Sequence, residues 1–328
     1  MQNILKLALA ATALALAGGC DISTVAAQQP TYPAKPVKII IPLGPGNSLE
    51  IAVRLVADKL AAALGQPFII EPQPGAAGQI GTERVARAPA DGYTLLAAND
   101  GIMTMLPNLQ KNISYDPLRD FAPITQIAGI PFVLITHPSV AARTAQELVQ
   151  LAKAQPARLE FSSGGTGSAQ QVAMELFMTV TGTRFTHIPY RGAPQAAMDV
   201  VSGHIPVAFA GLPIVATLIK DGKLRALGVA TDARLPLLAD TPTLAEQGIP
   251  LTFVAWGGLF APAGTPPEVV HKLSQETVKA LNSPDVQARL AEFGLQSYGN
   301  SPEKFAETLR VDFAKMAKVI RDAGITLQ

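Results

Sequence analysis

What most constrains this chain is a recurring unit. A short β-branched apolar run is followed by a turn of Gly, Ser, Thr and Asn, and then by an amphipathic helical stretch. Val37-Lys38-Ile39-Ile40-Ile41 ends at Pro42 and reads as a buried strand. Gly44-Pro45-Gly46-Asn47 is a turn, and Ser48 is a suitable helix N-cap. Over 49–64, Ile51, Leu55, Val56, Leu60 and Leu64 recur at helical spacing, and Gly65 closes the helix. A strand over 68–70, a glycine-rich turn over 75–78, a helix over 80–88 and a strand over 93–98 follow. This βαβαβ order predicts a parallel sheet with helices on both faces.

The unit then restarts. Strands are expected over 132–136, 159–162, 184–188, 207–210 and 226–230. Helices are expected over 144–154, 169–181 and 193–202, the first opened by Thr144 with Glu147 three residues on, a capping box. The tail reads as helices over 267–281, 284–293 and 302–323, each with Pro at or near its first position, where a missing N–H costs nothing.

Composition narrows the function. A length of 328 residues favours two domains over one. With 48% hydrophobic and 16% charged residues, a largely disordered chain is excluded. Lys+Arg at 26 against Asp+Glu at 25 leaves no basic footprint for nucleic acid. The single cysteine excludes an intrachain disulfide. His137, His187, His204 and His271 are scattered without metal-ligand spacing, so no metal is expected. There is no G-x-S-x-G elbow, phosphate loop or full dinucleotide fingerprint, so neither an enzyme nor a cofactor is expected. Ser168, His187 and Asp199 form a triad only on paper, since no spacing rule unites them.

Residues 1–27 read as a secretory signal: Lys6, an apolar stretch over 7–17 too short to span a bilayer, then small residues. Val25-Ala26-Ala27 fits signal-peptidase cleavage. Ala17-Gly18-Gly19-Cys20 is similar to a bacterial lipobox, with Ala17 where Leu is usual, and this favours Cys20 as a lipidation site. Either route predicts a periplasmic product, soluble or held on a lipid tether.

Two loops share the layout strand, polar glycine turn, helix start: Gly44 to Ser48 and Ser162 to Ser168. In an open α/β sheet such loops lie where ligands bind, and their free N–H groups attract anions. Tyr190 and Arg191 follow a strand and are candidates for a cleft mouth, with Arg191 the natural partner of a carboxylate.

Many blocks along the chain occur in one characteristic order. They include Pro45-Gly46, Pro74-Gly75-Ala76, Asp91-Gly92-Tyr93-Thr94-Leu95-Leu96 and Tyr115-Asp116-Pro117. They continue with Asp120-Phe121-Ala122-Pro123, Gly165 with Gly167-Ser168, His187-Ile188-Pro189-Tyr190-Arg191-Gly192, and Ala261-Pro262-Ala263-Gly264-Thr265-Pro266. In these the chain resembles the extracytoplasmic solute receptors of the tripartite tricarboxylate transporter family. The resemblance implies a two-lobed α/β periplasmic-binding-protein fold, type II-like, each lobe a mostly parallel sheet flanked by helices. It implies a ligand cleft between the lobes, no enzyme activity, and delivery of a small organic acid to a permease of large and small membrane subunits.

The family's cleft loops carry over to Gly46, Asn47 and Ser48; to Asn99 and Asp100; to Ser162, Ser163, Thr166, Gly167 and Ser168; and to Ala210. Tyr190 joins them from the cleft mouth. The chain departs from the pattern at Asn47, where relatives have a second glycine, and at Leu49, where they have Thr. It departs also at Asp100, where they tend to have Ser or Thr, and at Ala210, often Asp. An Asp100 facing the cleft would repel a carboxylate about 4 Å away by about 4 kcal/mol at an effective dielectric of about 20. That favours an acid bearing an amino, amide or heteroaromatic group, unless Asp100 points away or caps the following turn.

The expected lobes are 34–131 plus 253–328 and 132–252, with crossovers near Pro131 and Phe253 as hinges, in a monomer. Trp256 lies near the second crossover as packing or as a reporter of closure. Alternatives are a binding protein feeding a sensor and an exported α/β enzyme.

Overall fold

In the computed structural model, residues 32–110 and 112–322 are described. The signal over 1–27 and the Cys20 lipidation site lie outside them.

β1 (Val37–Ile41), β2 (Phe68–Pro72) and β3 (Thr94–Asn99) form a parallel set in the order β2-β1-β3. Helices α1 (Ser48–Leu64) and α2 (Gln79–Ala86) make the crossovers. A second parallel set runs β7-β5-β6, from β5 (Glu160–Ser163), β6 (Thr186–Pro189) and β7 (Val207–Gly211). The parallel βαβ units are thus those that the periodicity predicts.

The two sets are joined by strands that the sequence reading did not foresee in full. β4 spans Phe121–Thr136, eleven residues longer at its start than expected. Its first half pairs antiparallel with β9 (Val254–Pro262), which in turn pairs antiparallel with β3. Its second half pairs antiparallel with β7 and with β8 (Arg225–Val229). The exchange of partners falls between Pro131 and Phe132. Each lobe therefore combines three parallel strands with antiparallel additions.

Short α3 (Leu106–Leu109) follows a π-helical turn, Gly101–Met105. In the second half, α4 (Ala145–Ala154), α5 (Ala169–Thr181), α6 (Ala193–Val201) and α7 (Leu212–Lys220) cover the sheet. The tail supplies α8 (Pro267–Leu281), α9 (Pro284–Glu292), the short strand β10 (Gln296–Ser297) and α10 (Pro302–Asp322).

One core gathers Ile40, Leu96, Trp256, Phe260 and Phe305 around the first sheet. The Trp256 and Phe305 rings meet edge-on at 5.4 Å, a geometry worth about 0.5–1.5 kcal/mol beyond area burial. The other core gathers Val133, Ile135, Val200, Val215 and Val229 around the second. Glycines set the spacing of β9 to its helices. A Cβ on Gly257 would come within 2.3 Å of Leu49 on α1, and one on Gly258 within 2.4 Å of Phe305 on α10.

Two local readings are corrected. The N-cap of α1 is Asn47, whose side chain accepts from the Glu50 N–H, and Ser48 is already the first helical residue. In the Thr144 box, Thr144 accepts from the Glu147 N–H as expected, but the Glu147 carboxylate takes the N–H of Arg143, one residue earlier than the expected return bond.

Candidate functional site

A cleft of about 930 Å³ opens between the loops of the first sheet and those of the second. From the first come Gly44, Asn47, Ser48 and Leu49, the turn Pro74–Gly78, and Asn99, Gly101 and Ile102. From the second come Gly164 to Gln170, Pro189 to Gln195, Gly211 and Ile214. Ile130, Phe132 and Ala255 line it where the sheets meet.

Five helices begin at this cleft. α1 starts at Asn47 and Ser48, α2 at Gly78, α5 at Ser168, α6 at Gly192 and α7 at Gly211, and each of those residues lines the cavity. The starts of α2, α6 and α7 have no side-chain cap, so their first-turn N–H groups remain open to a ligand. Helix starts carry partial positive charge, about 0.3–1 kcal/mol each towards an anion and up to ~2 when partly buried. Arg191 is the one charged residue among the lining, and no acid lines the cleft among the described residues. Ser48 is 6% exposed and lines the cavity.

The two sides touch around the cavity. A Cβ on Gly44 would lie 3.4 Å from the Arg191 carbonyl oxygen, and one on Gly167 2.6 Å from Leu106 Cδ1. One on Gly211 would lie 2.9 Å from Ser48 Oγ. Small residues at these three points let the loops close on a ligand.

Of the residues singled out in the sequence, Asn47, Ser48, Asn99, Thr166, Gly167, Ser168 and Tyr190 are brought together in the lining. Gly46, Asp100, Ser162, Ser163 and Ala210 are outside it. Gly46 has its N–H held by Glu50 Oε2 at 2.8 Å. Ser162 is fully buried and donates to the Ala196 carbonyl at 3.0 Å. Ser163 Oγ meets His187 Nε2 at 2.6 Å, and burial pulls the His187 imidazole down to about 4, so it is neutral near pH 7. Ala210 lies in β7 within the second core.

Asp100 points away from the cleft. It is 5% exposed and its Oδ1 accepts from the Gly101 N–H at 2.8 Å, capping the π-helical turn. Burial pushes its carboxyl up to about 8. The argument from Asp100 to an amino- or amide-bearing ligand therefore loses its basis. Tyr190 lines the cleft and donates its hydroxyl to Asp199; burial, with that bond second, pushes the phenol up to about 12.

Sequence reasoning missed the Pro74–Gly78 turn as part of the site, whereas the loop that the resemblance places after Ala210 lines the cleft through Gly211. The turn carries Ala76 and Ala77 at φ 46° and 55°, a left-handed conformation uncommon for alanine. Its glycines were the legible signal. The segment after β7 was expected only through the resemblance, because its apolar run has no polar turn of its own.

The fold and cleft define a two-lobed α/β binding protein of the periplasmic type. Residues 52–325 match the family described as the tripartite tricarboxylate transporter family receptor, and the chain belongs to that family. It is an extracytoplasmic solute-binding protein rather than an enzyme. Among its relatives, Protein BugT of Bordetella pertussis is 33% identical over 301 residues, 91% of this chain and 92% of that one. A structure described as a periplasmic transporter has a TM-score of 0.87 at 37% identity, covering 90% of this chain and 100% of its own. Rpa4515 of R. palustris, solved with adipate, has a TM-score of 0.87 at 32% identity, covering 90% and 99%.

Proposed function

We propose that this protein captures a small carboxylate between its lobes and delivers it to a membrane permease of large and small subunits. The observation that carries the reading is the ring of five helix starts around a cleft lined by one arginine and, among the described residues, no acid. Such a lining favours an anion through main-chain N–H groups and hydroxyls. Adipate in the related Rpa4515 supports a linear diacid as the first candidate.

The lobes of this reading are 34–131 plus 253–328 and 132–252, with hinges near Pro131 and Phe253. The partner exchange along β4 supports the first crossover. A ligand touching both sides favours the closed form, which is the one offered to the permease. Ligand contacts fall to Asn47, Ser48, Asn99, Thr166, Gly167, Ser168 and Tyr190. The signal over 1–27 exports the chain, and a lipid on Cys20 keeps the receptor near its permease; a Cys20→Ser variant is then lost from the membrane fraction.

The test is a thermal-shift screen over acetate, succinate, adipate, aromatic acids and amino acids. A ligand at about 100 times its Kd adds about 2.7 kcal/mol and raises Tm by several degrees. A screen in which no carboxylate stabilises the protein defeats the proposal. Chemical turnover of a stabilising ligand defeats the binding-only reading.

A further inference from the structure

Behind the cleft wall lies a buried carboxylate. Asp100 sits between Asn99 and Gly101, both of which line the cleft, but its own side chain turns inward. It is held by the N–H of Gly101 at 2.8 Å. Asp312 on α10 acts on it as a like charge, and Asp312 Oδ2 accepts from the Trp256 indole Nε1 at 2.8 Å. Tyr298, which follows β10, completes the group: burial first, then the charges of Asp100 and Asp312, push its phenol up. Among the described residues, no cation is among the groups acting on Asp100.

We propose that Asp100 makes ligand binding proton-linked: with a proton on Asp100 the cleft takes an anion, and loss of that proton weakens the hold. The inference rests on the carboxylate reading of the cleft. Two effects give it one sign. An ionised Asp100 adds a negative charge one residue behind Asn99 and Gly101, where it repels an anion through the low-dielectric wall. The like charge of Asp312 on α10, which packs on the π-helical turn, also opposes that ionisation. Neighbouring segments hold the turn: Tyr115 donates to the Ile102 carbonyl, and on the following α3 Asn108 Nδ2 donates to the Phe313 carbonyl of α10. Loosening the turn moves Gly101 and Ile102, and with them the cleft lining.

Burial places the Asp100 titration at about 8, within reach of an ordinary pH series. The other titratable groups close to the cleft lie away from that value, His187 at about 4 and Tyr190 at about 12. By linkage, an anion that binds the protonated form draws a proton into the protein.

The experiment is calorimetric titration with adipate and succinate at pH 6.5, 7.5, 8.5 and 9.5, on the full exported chain and on Asp100→Asn. Both diacids are fully ionised over most of that range. The affinity of the parent falls about 10-fold across the series, whereas Asp100→Asn stays flat. Near pH 8 the parent binds with net proton uptake, read from the dependence of the heat on buffer ionisation. That second readout needs no variant and holds even if Asp100→Asn folds poorly. A parent that binds with no pH dependence and no proton uptake overturns this inference and leaves the carboxylate reading intact. A parent that binds no carboxylate at any pH overturns both.

Discussion

The N–H of Gly46 donates to Glu50 Oε2 at 2.8 Å, so a buried carboxylate at the third position of α1 braces the loop before the helix. Asn47 adds two bonds, accepting from the Glu50 N–H and donating to the Gly44 carbonyl at 2.7 Å. Arg54 Nε donates to the other Glu50 oxygen at 3.1 Å. The facing loop repeats the device with an amide: the Gly167 N–H donates to Gln171 Oε1 at 2.7 Å, and Ser168 accepts from the Gln171 N–H. Two glycine loops on opposite sides of the cleft are thus held by the same pattern, Gly-Asn-x-x-Glu and Gly-Ser-x-x-Gln.

Glu50→Ala therefore removes an acceptor from two donors at once. Gly46 is exposed and Arg54 is 60% exposed, so water replaces part of what is lost; at a net worth of about 0.5–1.5 kcal/mol per bond the urea midpoint falls, and ligand affinity falls with it because Asn47 and Ser48 lose their support. Glu50→Gln retains an acceptor for Gly46 and recovers part of both. A Glu50→Ala protein with parental midpoint and affinity contradicts the brace.

Gly167→Ala strikes the closed cleft. Gly167 has φ +80°, which disfavours alanine, and its added Cβ meets Leu106 Cδ1 at 2.6 Å beside the cleft. Ligand affinity drops 10-fold or more, while the far-ultraviolet circular dichroism stays that of the parent. Unchanged affinity in a ligand titration removes this contact from the closure mechanism.

His187 governs an acid-side loss of stability. Its imidazole titrates near 4 when folded, against about 6.5 when unfolded, because burial against Phe161 disfavours the charged form. Between those values the unfolded chain holds the extra proton, so stability declines as pH falls from about 6.5 to about 4. His187→Gln flattens that slope. Denaturation midpoints at pH 4.5 and 7 decide it, and equal slopes for parent and variant refute the assignment.

The elements legible in the sequence were those with a local signature. β1, α1 and the loop between them announce themselves by β-branched residues, a polar turn and helical spacing, and so do β5 and α5. The first half of β4 and all of β9 did not. Pro123, Gly129 and Pro131 in β4, and Gly257 and Gly258 in β9, read as loop punctuation. Their glycines answer to contacts with Tyr298, Leu49 and Phe305, which only the tertiary structure brings near. The same limit governed Asp100: its position in the chain was legible, but the burial that turns it inward comes from β9 and α10, more than a hundred residues away.

β4 also fixes an order of events during folding. All of its sheet partners, β7, β8, β9 and β10, follow it in the chain. Until β9 has been made, the first half of β4 and the outer edge of β3 have no partner, and the first core, which needs Trp256, Phe260 and Phe305, cannot close. Such non-local pairing slows folding. The second core is complete in the chain by Leu238, so the first sheet is the first to be synthesised and the last to be enclosed.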